Sequence, residues 1–424
     1  MSEFPESLKR RLARPAAIFG EGVSGRAVAE SLASGGFASV IYDEKGINSV
    51  FGPEQAARHD LLIYSPGFAQ AHPWILAARR VGMQCMSELD FGALLWTGPA
   101  IAITGTNGKT TLTEFLSFAF KRSGVDAIAC GNIGHALTSL SRTESNVSFL
   151  AVVEVSSFQA EDLRNFTPEA VLWTNFDEDH LDRHGDLENY FRAKFKLIER
   201  MMPGGILVVG ESVVAAARKF GIELPVEALV ATRAEVADSV PAGSLFGTWP
   251  QLENWAVAVK YWRARGIALR LLEESAKLFR LAPHRLRKVA ESQGVEYWND
   301  SKGTNFHAVE AALRQFTIPV RWIGGGKWKG GDLQAFAARI TPQIEAAYLI
   351  GETGEELHRQ FEALGKASRV FPSLQDAVVA ATNDAHGPTA ILLSPGFSSF
   401  DQFRSYVERG MVFERAALAL ANRA

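Results

Sequence analysis

Residues Gly105-Thr106-Asn107-Gly108-Lys109-Thr110-Thr111 carry the side chains and the flexibility that hold a polyphosphate. Two glycines let a turn aim successive backbone N–H groups at an anion. The lysine brings a charge to a β- or γ-phosphate, and the hydroxyl of Thr110 or Thr111 can reach Mg²⁺. The loop is shorter than a full P-loop, because Ile103 stands where that consensus has its first glycine. A second glycine turn, Gly20-Glu21-Gly22-Val23-Ser24-Gly25, has the G-x-G-x-x-G spacing that receives a diphosphate, with Asp43 about twenty residues on as a ribose contact. Read alone it fits an NAD-dependent dehydrogenase, and a nucleotide-sugar diphosphate suits it equally. Glu154 ends an apolar run, where a carboxylate needs a partner, which in a phosphate site is usually Mg²⁺. The acid- and histidine-rich stretch from Asn175 to His184 offers His180 as a candidate ligand for a second metal. Lys302 and Lys329, in two further polar, Gly-bearing turns, are expected to make a cationic edge for an anionic substrate.

These residues need rigid elements behind them, and the hydrophobic pattern supplies alternating strands and helices. Strands are expected at 16–19, 40–43, 61–64, 101–104, 126–130, 149–155, 170–174, 205–209, 295–298, 320–323, 347–350 and 390–393. Helices are expected at 26–33, 112–121, 190–200, 251–265, 269–279 and from about 401 to the C-terminus. Such alternation predicts parallel sheets covered on both faces, with the polar turns gathered at the C-terminal ends of the strands.

The chain has 424 residues, enough for two or three domains. Its 47% hydrophobic and 21% charged content fits a globular protein, and a net charge of −3 argues against a general nucleic-acid binder. Cys85 and Cys130 form no metal-ligand spacing, which fits a reducing compartment. No signal-peptide core and no apolar run of membrane-spanning length is present, so a cytoplasmic protein without membrane insertion is expected.

Taken together, G-T-N-G-K-T-T, the S-S-F-Q after Glu154, D-E-D-H-L-D-R-H, P-H-R, N-D-S-K-G-T-N and the C-terminal L-S-P-G-F-S-S-F-D-Q-F with Arg409-Gly410 resemble the Mur ligases along essentially the whole chain. The resemblance implies an α/β fold of three domains, each with a mostly parallel sheet: Rossmann-like at 1–96, a P-loop-type ATPase at 97–282 and Rossmann-like at 283–424. It implies an ATP-dependent amide ligase of peptidoglycan precursor synthesis. Such an enzyme adds D-glutamate to UDP-N-acetylmuramoyl-L-alanine through an acyl phosphate, uses two Mg²⁺ ions and acts as a monomer. The first glycine turn would then hold a UDP-sugar diphosphate rather than NAD.

By the same resemblance, Lys109, Glu154, His180 and Lys194 carry the catalysis, with Lys194 carbamylated by CO₂. Thr110, Glu154, His180 and the Lys194 carbamate hold metal. Gly105 to Thr111, Asn254, Arg285 and Asp300 meet ATP. Val23, Ser24, Asp43, Gly67, Asn132 and His180 surround the UDP substrate, and Lys302, Thr304, Lys329, Ser399, Phe400 and Tyr406 the glutamate. The chain departs from the family pattern at Pro250-Gln251, where His-Asn is usual ahead of Asn254. It departs again at Gly303 for alanine, at Tyr406 for phenylalanine and at Phe397. The alternatives are a related ligase adding L-glutamate or another amino acid, or an NAD-dependent nucleotide-sugar dehydrogenase.

Overall fold

The computed structural model describes residues 4–44, 46, 48–140, 149–247, 251–281 and 283–422. Pro250, one of the departures above, lies outside them. The chain forms two compact units, one of Met1–Phe176 with Glu188–Phe279 and one of Asp177–Leu187 with Arg280–Ala424.

The first unit holds two wholly parallel sheets. Strands β1 (Ala16–Phe19), β2 (Ser39–Tyr42), β3 (Leu61–Tyr64) and β4 (Gln84–Ser87) stand in the order β2-β1-β3-β4. Strands β5 (Ala100–Thr104), β6 (Ala127–Gly131), β7 (Leu150–Glu154), β8 (Ala170–Trp173), β9 (Ile206–Gly210) and β10 (Leu229–Ala231) stand in the order β10-β9-β8-β5-β7-β6. Every residue of β1, β3, β5, β7 and β8 is buried, as expected of strands covered on both faces. Within each sheet the strand order reverses beside the first strand, and the glycine turns leave the chain there. Gly20 needs its left-handed backbone, at φ 93°, and a Cβ there would stand 2.9 Å from Ser65 Oγ at the end of β3.

The second unit holds β11 (Arg287–Ser292), β12 (Val295–Asn299), β13 (Val320–Gly325), β14 (Ala346–Ile350), β15 (Ser368–Val370) and β16 (Thr389–Leu393) in the order β11-β12-β16-β13-β14-β15. Among these strands the β11–β12 pair is antiparallel and the others are parallel. The three α/β sheets are those expected, and the edge strands β4, β10, β11 and β15 add to the predicted set. Four helix starts differ from the sequence reading, those expected at 112 and 190 lying at Lys109 and Leu187. The helix after the first glycine turn begins at Val23, directly behind the turn. The last helix is Tyr406–Ala421, because Ser405 caps it by accepting the Glu408 N–H, while residues 401–405 form turns.

Inside the first unit, the helix Glu88–Leu95 ties the two sheets together through carboxylates taken out of water. Asp90 Oδ1 accepts the backbone N–H groups of Arg164 at 2.9 Å, Asn165 at 2.8 Å and Phe166 at 3.3 Å, and Oδ2 accepts Asn165 Nδ2 at 3.0 Å. Glu88 Oε1 accepts the Thr138 N–H and hydroxyl at 3.1 and 2.6 Å. Burial raises both carboxyls above their usual range, offset in part by these donors. Asp90→Ala would orphan four donors, each costing about 1–3 kcal/mol where water cannot reach it. The calorimetric transition of this unit should fall by at least about 4 °C.

Candidate active site

The phosphate loop leaves β5, and the helix Lys109–Arg122 starts on it with Gly108 as its N-cap. Gly105 has φ 151° and Gly108 φ 82°, and both are closed to a side chain. A Cβ would stand 2.0 Å from Thr174 Oγ1 at the first and 2.3 Å from Asn254 Oδ1 at the second. The loop is braced from the end of β8: Thr174 Oγ1 donates to Asn107 O at 2.7 Å, and Asn175 Oδ1 accepts the Asn107 N–H at 2.9 Å. Asn175 O accepts the Thr106 N–H at 3.1 Å. Thr110 and Thr111 are both buried on the first helical turn.

Lys109 Nζ donates to Gly105 O at 2.8 Å and to Thr106 O at 2.9 Å. Lys194 Nζ donates to the same Gly105 oxygen at 2.9 Å and lies 4.8 Å from the centre of the Tyr190 ring. Two lysines thus meet at one carbonyl of the loop. Lys194 is buried while Lys196 is exposed, as expected for residues about 200° apart around the helix Leu187–Glu199. Asn254 is buried against the loop, with Nδ2 donating to Gln251 Oε1 at 2.8 Å and Oδ1 without a hydrogen-bond partner among the described residues.

Glu154 sits beside Ile103 in the sheet, one residue before the end of β5. Its Oε1 accepts Asn132 Nδ2 at 2.9 Å, and its Oε2 is buried without a hydrogen-bond partner among the described residues. An orphaned carboxylate oxygen at a phosphate loop fits a hard cation. Among the described residues no three His, Cys, Asp or Glu side chains gather into a metal cage. Mg²⁺ needs none, since it is usually held by one or two carboxylates plus substrate phosphates and water.

At the first sheet, Asp43 Oδ2 accepts the Glu21 N–H of the glycine turn at 2.8 Å. Val23 is exposed and Ser24 half-buried on the first turn of the helix Val23–Ser34, and Gly67 is exposed after β3. Asn132 belongs by contact to Glu154.

The second unit collects the remaining candidates. Asp300, after β12, accepts the Leu286 N–H on Oδ1 at 3.1 Å and the Ser394 hydroxyl on Oδ2 at 2.7 Å. Burial raises its carboxyl to about 7, opposed by these donors and by the charges of Arg285 and Arg409. Gly303 is closed to alanine in this chain, since a Cβ would lie 2.4 Å from Asp300 Oδ2. Lys302 Nζ stands 4.2 Å from the centre of the Tyr406 ring. Ser399 is buried, Thr304 half-buried and Phe400 exposed. Buried Arg409 donates to Ser301 Oγ and to the Ser301 and Phe397 carbonyls at 3.1, 3.0 and 3.2 Å. Burial lowers its guanidinium to about 10.

His180 and Lys329 meet in this unit through Asp179. Asp179 Oδ1 accepts Lys329 Nζ at 2.9 Å, and Oδ2 accepts Asn305 Nδ2 at 3.1 Å and lies 3.6 Å from His180 Nε2. Burial alone would raise the Asp179 carboxyl. Lys329 and His180 outweigh it and hold the group well below the usual carboxylate range. Lys329 is therefore neutralised where the sequence reading expected an open cationic edge, because residue types alone do not show which acid folds against a lysine. The braces at Thr174, Asn175, Asp179 and Asn305 were not singled out from sequence. Their one signal is a hydroxyl, amide or carboxylate in the turn that follows a buried strand.

Residues 103–229 match the model of the Mur ligase middle domain, and residues 284–397 that of the Mur ligase glutamate ligase domain. The chain is 31% identical to the UDP-N-acetylmuramoylalanine–D-glutamate ligase of Synechocystis, over 96% of this chain and 99% of that protein. It is 34% identical to the protein of that name from Nitrobacter winogradskyi, over 95% and 96% of the two chains. Among solved structures it is similar to the UDP-N-acetylmuramate-alanine ligase of Thermotoga maritima, with TM-score 0.61 at 16% identity over 97% and 99% of the chains. The MurF ligase of Thermotoga maritima in complex with ADP gives TM-score 0.59 at 15% identity over 88% and 98%. These two likenesses show the fold.

Asp300 makes a pH test possible. An unfolded aspartate titrates near 3.9, the folded one at about 7. Between these values the folded chain holds a proton that the unfolded chain has released, so this group's contribution to stability falls as pH rises through that window. In Asp300→Asn the fall should be absent. Thermal midpoints measured across the window should show the variant gaining on the parent as pH rises, with the gain levelling off above pH 7.

Proposed function

The chain belongs to the Mur ligase family, and from that premise we propose that it joins D-glutamate to UDP-N-acetylmuramoyl-L-alanine at the expense of ATP, in peptidoglycan precursor synthesis. The observation that carries the reading is the glycine loop after β5, with Lys109 and buried Lys194 meeting on Gly105 O and Glu154 on the neighbouring strand. The family match displaces the dehydrogenase reading of the first glycine turn. We place the enzyme in the cytoplasm as a monomer, and assign 1–96 to the UDP substrate, 97–282 to ATP and 283–424 to glutamate.

In this reaction the carboxylate of the UDP substrate attacks the γ-phosphorus of ATP, giving an acyl phosphate and ADP. The amine of glutamate then attacks the acyl carbon, and phosphate leaves. The loop N–H groups and Lys109 bind the phosphates and offset the charge that builds on the transferred group. Mg²⁺ would supply further charge neutralisation and alignment, held by Thr110 and Glu154, with His180 as ligand to a second ion. Lys194 is buried beside Lys109, and a carbamate formed there with CO₂ would present an anionic oxygen on a long arm. Asn254, Arg285 and Asp300 are assigned to the nucleotide. Val23, Ser24, Asp43, Gly67, Asn132 and His180 are assigned to the UDP substrate, and Lys302, Thr304, Lys329, Ser399, Phe400 and Tyr406 to glutamate.

Phosphate release with ATP, UDP-N-acetylmuramoyl-L-alanine and each glutamate enantiomer tests the reading directly. Release with D-glutamate alone is expected, and release with neither enantiomer would overturn it. Lys194→Ala should lose activity on the order of 10²-fold or more, with partial recovery when formate or acetate is added. Lys196→Ala should stay within a few tenths of a kcal/mol in stability and near parental in rate, as exposed substitutions do. Parental turnover in Lys194→Ala would remove the carbamate.

A further inference from the structure

We propose that Thr174 and Asn175 are positioning residues that hold the phosphate loop in its anion-receiving shape and link it to the helix carrying Asn254. This inference rests on the nucleotide role given to the loop in the proposed function. Neither residue is in the set assigned to ATP, Mg²⁺ or either other substrate. Both are buried, at 1% and 5% exposure, so their polar atoms must be satisfied inside the protein.

The loop hangs on these two side chains at one residue. Asn107 gives its N–H to Asn175 Oδ1 at 2.9 Å and receives the Thr174 hydroxyl on its carbonyl at 2.7 Å, so the peptide units on both sides of Asn107 are fixed. Thr106 gives its N–H to Asn175 O at 3.1 Å. The Thr174 hydroxyl also fills the space where any side chain at residue 105 would lie, so the glycine and the threonine fit as a pair. On its other side Asn175 Nδ2 donates to Glu253 Oε2 at 3.2 Å, one residue before Asn254. The amide therefore spans the loop and the helix Gln251–Ala264, fixing the distance between the groups assigned to the phosphates and Asn254.

An anion bound by backbone N–H groups feels their orientation steeply, so a loop free to rotate about Asn107 loses affinity for the phosphates before it loses chemistry. Valine in place of Thr174 keeps the shape and removes the hydroxyl, while serine keeps the hydroxyl. Full-length Thr174→Val should raise the KM for ATP, and the Kd for ADP by calorimetry, about tenfold, the worth of one well-placed hydrogen bond. The KM values for the UDP substrate and glutamate should hold within twofold, and Thr174→Ser should restore ATP binding. Asn175→Ala, which cuts both the loop and the Glu253 links, should raise the ADP Kd further with parental affinity for the UDP substrate. An unchanged ADP Kd in Thr174→Val, or equal loss of ADP and UDP-substrate binding, would overturn the positioning role. If the parent protein bound no ADP, the nucleotide reading itself would fall.

Discussion

The structure depends on keeping ionisable groups out of water at the C-terminal ends of parallel strands. Glu154, Lys194, Asp300 and Arg409 are buried, and the Asp179 side chain is 9% exposed. Each such charge costs several kcal/mol unless a partner meets it at hydrogen-bond distance. The partners come from the turns beyond the strands: Gly105 O for Lys194, Lys329 for Asp179, and the Ser301 and Phe397 carbonyls for Arg409. A turn that shifted would strand a buried charge, so the turns are held by the groups they serve.

Glycine placement follows from the same crowding. Gly105, Gly108 and Gly303 each face a polar side chain closer than a Cβ could approach. At the first two, glycine accepts the positive φ of the loop while a threonine and an asparagine close in behind. At Gly303 the limit is space alone: Asp300 Oδ2 and Ser394 Oγ occupy the volume an alanine would need. The departure from the family pattern at Gly303 thus falls where the Asp300 and Ser394 side chains leave little room.

Much of this was legible in the sequence, because long apolar runs bounded by Gly-rich turns have few other ways to fold. The buried strands from β1 to β16 fall within a residue or two of the expected positions, and the glycine loops lie where their spacing put them. The short edge strands were not legible, since β4, β10, β11 and β15 bury little and carry mixed residues. The start of the last helix was misplaced because the sequence does not show where its cap lies, and the Ser405–Glu408 bond sets it. The link between the first two sheets was hidden for a different reason. Asp90 lies in a helix that the sequence analysis did not mark, and its partners lie more than seventy positions away.

Three carboxylates show what partner chemistry adds to burial. Each ends or follows a strand in the sequence. Asp179 meets an ammonium group at 2.9 Å and stays ionised, so its charge is spent inside the fold. Asp300 meets only neutral donors at hydrogen-bond distance, while Arg285 and Arg409 act on it less strongly than its burial; it holds a proton up to about pH 7 and gains its charge there. Glu154 has one oxygen on an amide and the other on no partner among the described residues. Of the three, Glu154 alone keeps a coordination position for a cation without breaking a bond of the fold, and it is the one beside the phosphate loop.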